Sequence, residues 1–164
     1  MSSPPVVTLG QLIQEHLKGY DWCDRVPRAA CDLKLTDADR QAAWALYVEL
    51  ASRIATQPLA DEEGVEQAAL KSIADLFEIG RAALRAAGRE AAACSALVLT
   101  LLNGRVRPFT AEWHKHQTEG RFKDPAMSGR FRVELRELQI DLRAAADALA
   151  ALAGVPRLTE YGTP

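Results

Sequence analysis

Apolar residues recur every three or four positions along most of the chain, and no segment alternates apolar and polar residues with a period of two. The first spacing places apolar side chains on one face of an α-helix, whereas alternation is typical of a half-buried strand. Prolines and glycines divide the chain into long segments of the helical kind. The pattern therefore predicts an all-α fold: an antiparallel four-helix bundle with an additional short N-terminal helix and an irregular arm.

Residues 1–35 are predicted to form the short helix and the arm. The helix is expected over 9–18, with Thr8 as its N-cap and Gly19 in the left-handed conformation that often follows a helix. These signals fix both ends of the helix.

The arm, residues 20–35, has no clear apolar period. It is longer than the usual connection between two bundle helices. Two interpretations stay open: an arm held on the bundle by Tyr20 and Trp22, or a docking element for a partner.

Residues 36–155 are predicted to form the bundle domain, and residues 156–164 a C-terminal tail. The four helices of the domain are expected to begin at Thr36, Asp61, Arg89 and close to Phe131, and to end before Pro58, at Ala87, at Leu102 and before Gly154. Thr36 is expected to cap the first of them, with Asp39 completing the capping box. The tail is expected to fray or to contact a partner.

The last helix has the clearest pattern. Seven apolar residues lie alternately four and three positions apart: Phe131, Leu135, Leu138, Leu142, Ala145, Leu149 and Leu152. This spacing defines a heptad seam, which we expect to be buried either within the chain or across a dimer.

Two glycines mark special positions. Gly80 within the predicted third helix costs roughly 1 kcal/mol relative to alanine, which close approach of a neighbouring helix would offset. The fourth helix is apolar nearly all round, and Asn103 with Gly104 ends or bends it. Pro108 leaves the carbonyl of Gly104 without a donor, so we expect a sharp bend there and a helical continuation over 108–117.

The formal net charge of the chain is −2, but residues 105–132 hold seven basic and three acidic side chains. A small basic segment in an acidic chain makes nucleic-acid binding unlikely. The longest apolar run, over 91–102, is too short to span a membrane. The N-terminal residues show no secretory signal, so we expect a cytoplasmic protein.

The stretch RVRPFTAEWHKH, residues 105–116, concentrates the candidate functional side chains. The candidate ligand- or partner-binding residues are Arg105, Arg107, Trp113, His114, Lys115, His116 and Arg121. In one interpretation the arginines bind an anion, Trp113 stacks on the ligand, and a histidine donates a proton. In the other, which the sequence favours, Phe109, Trp113 and His116 share a face that packs on the core.

No complete catalytic or metal-binding set is apparent, so we predict neither an enzyme nor a cofactor or metal ion. His114 and His116 lie on different sides of a helix, whereas chelation on a helix needs residues four apart. Cys94 lies in the most apolar helix and is expected to be inert, while Cys23 and Cys31 on the arm are expected to be more exposed. Three cysteines without a Cys-x-x-Cys pair suit reduced thiols.

Four segments together resemble a group of all-helical bacterial proteins and domains that take part in multi-component signalling and conflict (defence) systems. They are ELASRIATQPL, LFEIGRAALRAAG, LNGRVRPFTAEWHKH and FRVELRELQIDLRAAADALAALAGV. The resemblance covers residues 40–155, and Arg107, Pro108, Trp113 and His114 match its most specific part. It implies a sensor, adaptor or effector-associated module that binds other proteins.

The sequence therefore predicts a non-enzymatic interaction or regulatory module. Its partner is expected to be another protein chain or a second copy of this one. The alternative is a sensor that binds a nucleotide or another phosphorylated small molecule at the basic stretch.

Overall fold

The computed structural model describes residues 7–59 and 65–162. Its α-helices are α1 (Leu9–His16), α2 (Arg28–Cys31), α3 (Asp37–Ala51), α4 (Glu66–Ala74), α5 (Leu76–Ala87), α6 (Ala92–Leu101), α7 (Arg107–Thr118) and α8 (Pro125–Ala153). Short 3₁₀ turns occupy Asp21–Arg25 and Arg121–Lys123, and a π-helical segment, Leu102–Val106, joins α6 to α7. No β-strand occurs in the described ranges, so the all-α prediction is confirmed.

The predicted start of α1 is confirmed. Thr8 accepts a hydrogen bond from the backbone N–H of Gln11, and the Gln11 side chain accepts one from the backbone N–H of Thr8. This reciprocal capping box satisfies two amides that the helix leaves free. The helix ends at His16, two residues before the predicted end, and Gly19 follows with a φ of +91°.

The arm is ordered and packs on α6. Trp22 is buried in its 3₁₀ turn. Backbone hydrogen bonds fasten the far end of the arm to α1, because Leu9 N donates to Leu33 O over 2.9 Å and Leu35 N to Val7 O over 3.0 Å. These contacts agree with the interpretation of an arm held on the helical body.

The centre of the molecule is the contact between α3 and α8. All seven seam residues of α8 are buried within this one chain, so the predicted burial of the heptad pattern is confirmed. α8 begins at Pro125, six residues before the seam, where the side chain of Asp124 accepts a hydrogen bond from Ala126 N. Gly154, with a φ of +79°, ends it at the predicted place.

Other predicted helices also differ from the observed ones. α6 begins at Ala92, three residues after the predicted start at Arg89. α3 ends at Ala51 because residues 52–57 wind into turns, well before Pro58. The single helix predicted up to Ala87 is instead α4 and α5, which meet at Asp75 with 3₁₀-like dihedral angles. The predicted helix start at Asp61 lies outside the described residues.

On the two sides of the interruption at Asp75, α4 packs on α7 and α5 packs on α6. Of the two predictions for Gly104, that the helix ends there or bends there, the first is wrong. The helical path continues through the π segment into α7. Proline at 108 cannot donate to the carbonyl of Gly104, and a wider π turn accommodates its ring.

The C-terminal residues return to the helical body. The Tyr47 hydroxyl accepts a hydrogen bond from Leu158 N over 2.7 Å. Arg157 forms a two-pronged ion pair with Asp147, which also accepts a hydrogen bond from the Tyr161 hydroxyl over 2.9 Å. Through Gly162 the tail is thus fixed by hydrogen bonds rather than frayed.

None of the described helices is long and apolar enough to cross a lipid bilayer.

A pair of glycine substitutions tests the close approach predicted at Gly80. A β-carbon at Gly80 would lie 2.9 Å from Leu102 Cδ1, whereas one at the exposed Gly129 of α8 meets nothing within 4 Å. Gly129→Ala is expected to stabilise the protein by up to about 1 kcal/mol through helix propensity. Gly80→Ala is expected not to stabilise the protein, because the added β-carbon displaces the buried Leu102 side chain. Urea unfolding of both variants measures the difference, and an equal gain at both positions would refute the close contact.

Candidate functional site

Trp113, the central residue of the predicted site, is completely buried. Its ring stacks on Phe122 at a centroid distance of 5.8 Å and meets the edge of Phe131 at 5.1 Å. Its indole Nε1 donates to Glu134 over 2.8 Å. A ligand cannot stack on a ring enclosed in this way, so the predicted stacking role is wrong. The alternative, in which Phe109 and Trp113 face the core, is confirmed.

The three arginines of the predicted anion site do not meet. Arg105 pairs with Asp141 of α8. Arg107 donates to the side chain of Asn103 and lies over the Phe77 ring, while Arg121 pairs with Glu119 at 2.8 Å. Arg107 begins α7 and Arg121 lies beyond its end at Thr118, so the length of this helix separates Arg121 from the other two arginines. At about 1.5 Å per residue this length is roughly 17 Å, too far for one small anion.

The remaining predicted residues lie on α7 with different surroundings. His114 and Lys115 are exposed. His116 is mostly buried beside Trp113, and its Nε2 lies 3.6 Å from Glu112. Among the described residues no three His, Cys, Asp or Glu side chains are placed to hold a metal ion together. Sequence proximity along 105–121 therefore does not produce a single site.

The cysteines differ partly from expectation. Cys94 is buried, and burial raises the pKa of its thiol to about 12, which favours the unreactive protonated form. Cys23 was expected to be exposed but is buried, because the arm folds inward and its Sγ donates to Tyr20 O over 2.8 Å. Cys31 is half-buried.

A cavity of about 490 Å³ lies between the 3₁₀ turn of the arm and the π segment. We call it the π-turn cavity, and its principal wall residues are Tyr20, Trp22, Arg25, Gly104, Arg105 and Asp141. The arm supplies one side of the cavity, and the π segment with α8 supplies the other. Of the predicted site residues, Arg105 is the one that lines it.

Two groups in this cavity wall lack partners. Within the described residues, the exposed guanidinium of Arg25 makes no hydrogen bond or ion pair, and a β-carbon at Gly104 would lie 3.7 Å from Arg25 Cδ. The buried Nε1 of Trp22 likewise has no acceptor. The charges of Arg105 and Asp141 are matched to each other. The cavity thus presents one unpaired cation, and one of its wall residues, Trp22, carries a buried N–H donor without an acceptor.

A second candidate surface is the outward side of α3. Beyond the exposed ion pair of Asp37 and Arg40 in the first turn, a row of neighbouring exposed side chains up to the C-cap carries no charge: Gln41, Trp44, Ala45, Val48 and Ser52. We call this row the α3 outer face. Trp44 is 46% exposed and Val48 is 45% exposed. The opposite side of α3 is buried against α8, so this helix is apolar on two sides.

Sequence reasoning missed both surfaces. A signal for the α3 outer face was present, because Trp44, Ala45 and Val48 lie off the inward stripe of that helix. For Arg25 there was no signal, since the arm has no period that fixes which side chains face each other. The cavity is a tertiary feature.

Comparison with known proteins identifies no relative of this chain. No family model, no curated protein and no solved structure matches it. The bacterial and defence-related setting therefore stays a prediction from the quoted segments.

Proposed function

We propose that this chain is a non-enzymatic interaction module that binds another protein chain through the α3 outer face. The setting we propose for it, from the resemblance of residues 40–155, is a bacterial multi-component system of the signalling or defence type. In the proposed architecture α3, the joined α4–α5, the continuous α6–α7 and α8 act as four antiparallel rods. The rod with an apolar side left over is α3.

The observation that carries the proposal is an uncharged exposed row centred on Trp44. Single exposed apolar residues are common, but a row of them without charge marks an interaction surface more specifically. Tryptophan is enriched among the residues that contribute most to binding energy. Trp44 is also held on one side, because its ring lies 6.4 Å from that of Tyr47.

The occupant that fits this row is a helix of the partner, either a different protein or a second copy of this chain. The exposed residues of α3 are spaced three and four apart, which forms the ridge that a second helix packs against. Ala45 in the middle of the row leaves room for close approach of the partner backbone. Because the α3 outer face carries no charge, a partner helix can cover it without burying an unpaired ion.

A matched pair of substitutions tests this proposal. Val48→Arg places a charge in the row, while Val133→Arg does the same on α8 at a valine that is 48% exposed. Val48→Arg is expected to weaken association at least about tenfold, because the interface must then bury an unpaired guanidinium. Sedimentation analysis measures self-association, and affinity capture from the native host followed by titration with the purified captured protein measures hetero-association.

The control, Val133→Arg, is expected to behave as the wild type in both measurements. Circular dichroism verifies that both variants remain helical. The proposal is wrong if the wild-type chain is strictly monomeric and retains no partner, or if both substitutions weaken association equally.

A further inference from the structure

We infer that the π-turn cavity binds a small anionic metabolite, whose carboxylate or phosphate group is held by Arg25. This inference is independent of the α3 outer face and goes beyond the proposed function. It places a ligand where the arm, the π segment and α8 meet.

The anion-binding group is Arg25. A guanidinium presents a planar set of N–H donors that matches carboxylate and phosphate oxygens, and such charge-assisted pairs are stronger than neutral hydrogen bonds. All five of these donors are unused in the described part of the chain, as noted above. Arg25 lies beside Gly104, where a β-carbon would make an ordinary van der Waals contact with it.

Arg105 adds further donors. Its Nε is bound to Asp141, which fixes the side chain and neutralises its charge, whereas its two terminal nitrogens have no partner in the described residues. The ion pair of Arg105 and Asp141 is therefore neutral overall, but the terminal nitrogens of Arg105 can still donate hydrogen bonds to a ligand. Asp21 also lines the cavity and has no ion-pair partner in the described residues. It favours a ligand that carries an N–H or O–H donor besides its anionic group.

The apolar part of the wall is aromatic and aliphatic. Tyr20, Trp22 and Ile140 provide it, and Ile140 is one of the most exposed apolar side chains in the described residues. The Nε1 of Trp22 is buried and lacks an acceptor. A bound ligand that brings an acceptor close, together with a small shift of the indole, would satisfy this donor.

The volume of the π-turn cavity and the backbone conformation of its wall are those expected of a site for a small metabolite. A volume of about 490 Å³ falls in the range of small-molecule sites, which is roughly 300–1,000 Å³. Single π turns within α-helices often occur at functional sites. Here the π segment carries both Gly104 and Arg105, so the irregular winding positions two elements of the cavity wall.

Indole N–H signals of the ¹⁵N-labelled full chain provide the test. Substituting each tryptophan by phenylalanine assigns the signals of Trp22, Trp44 and Trp113. Inorganic phosphate, lactate and adenosine monophosphate are the probes, titrated separately at constant ionic strength with chloride as the reference anion. Phosphate and lactate distinguish the two anionic groups, and the nucleotide adds an aromatic part.

At least one probe is expected to shift the Trp22 signal saturably while the Trp113 signal stays fixed. Arg25→Ala is expected to weaken that binding at least about tenfold, and Arg25→Lys less, because it retains the charge without the planar fork. Arg28→Ala, an exposed arginine on α2 that does not line the cavity, is the matched control and should bind as the wild type. The inference fails if no probe gives a saturable shift, or if Arg25→Ala and Arg28→Ala have the same effect.

Discussion

Replacement of Trp113 by alanine is expected to lower the free energy of unfolding by about 3–5 kcal/mol. The indole is completely buried against Phe122 and Phe131, and its removal leaves a cavity between α7 and α8. Aromatic pairs of this kind contribute roughly 0.5–1.5 kcal/mol each beyond the area they bury. The substitution also leaves the carboxylate of Glu134 without its indole donor. Urea unfolding followed by circular dichroism measures the loss.

Two controls separate the parts of this effect. Trp113→Phe keeps most of the ring contacts but not the hydrogen bond to Glu134, so it is expected to cost clearly less than alanine. Trp44→Ala removes the same residue type from an exposed position and is expected to cost less than about 1 kcal/mol. Similar losses for Trp44→Ala and Trp113→Ala would contradict the burial of Trp113.

The features that the sequence predicted best depend on local chemistry. Thr8 and Thr36 form capping boxes with the residues three positions further on, so the helix starts follow from the residue types. The seam of α8 from Phe131 to Leu152 depends on spacing alone, and all of its members are buried. Local signals of this kind are independent of how the helices pack.

The candidate site could not be predicted in the same way, because its geometry depends on the path of the chain. The basic stretch is compact in sequence, but α7 lies between Arg105 and Arg121 and separates them by the length of a helix. Conversely, Arg25 and Arg105 are eighty residues apart in sequence and line one cavity. The arm that brings them together has no apolar period, and its position depends on the burial of Trp22, which the sequence offered as one of two interpretations.

Asp39 occupies a position whose importance the sequence indicated only in part. It was expected to complete the capping box of α3, and its Oδ2 does accept hydrogen bonds from Thr36 N at 2.9 Å and from Thr36 Oγ1 at 3.0 Å. Its other oxygen, Oδ1, accepts a hydrogen bond from Cys94 N over 2.8 Å. The side chain is completely buried, so one carboxylate satisfies amides at the starts of both α3 and α6. The positive ends of these two helices offset the cost of burying its charge.

Asp39→Ala is therefore expected to destabilise the protein by about 3–4 kcal/mol. The substitution removes the acceptor of two backbone N–H groups, and each buried donor left unpaired costs roughly 1–3 kcal/mol. Asp39→Asn keeps a single carbonyl oxygen and places an amide N–H against one of the two donors, so an intermediate loss is expected. Urea unfolding of the two variants beside the wild type gives the comparison.

Asp37→Ala is the matched control, because Asp37 lies in the same first turn of α3 with a side chain that is 97% exposed. Its carboxylate interacts with the helix dipole and with Arg40 at the surface, and such effects contribute roughly 0.3–1 kcal/mol each. If Asp37→Ala and Asp39→Ala cost the same, then the contribution of Asp39 is that of an ordinary first-turn acid. A loss several times larger at Asp39 is the expected result, because Asp39 is buried and accepts hydrogen bonds from Thr36 N and Cys94 N, which Asp37 does not.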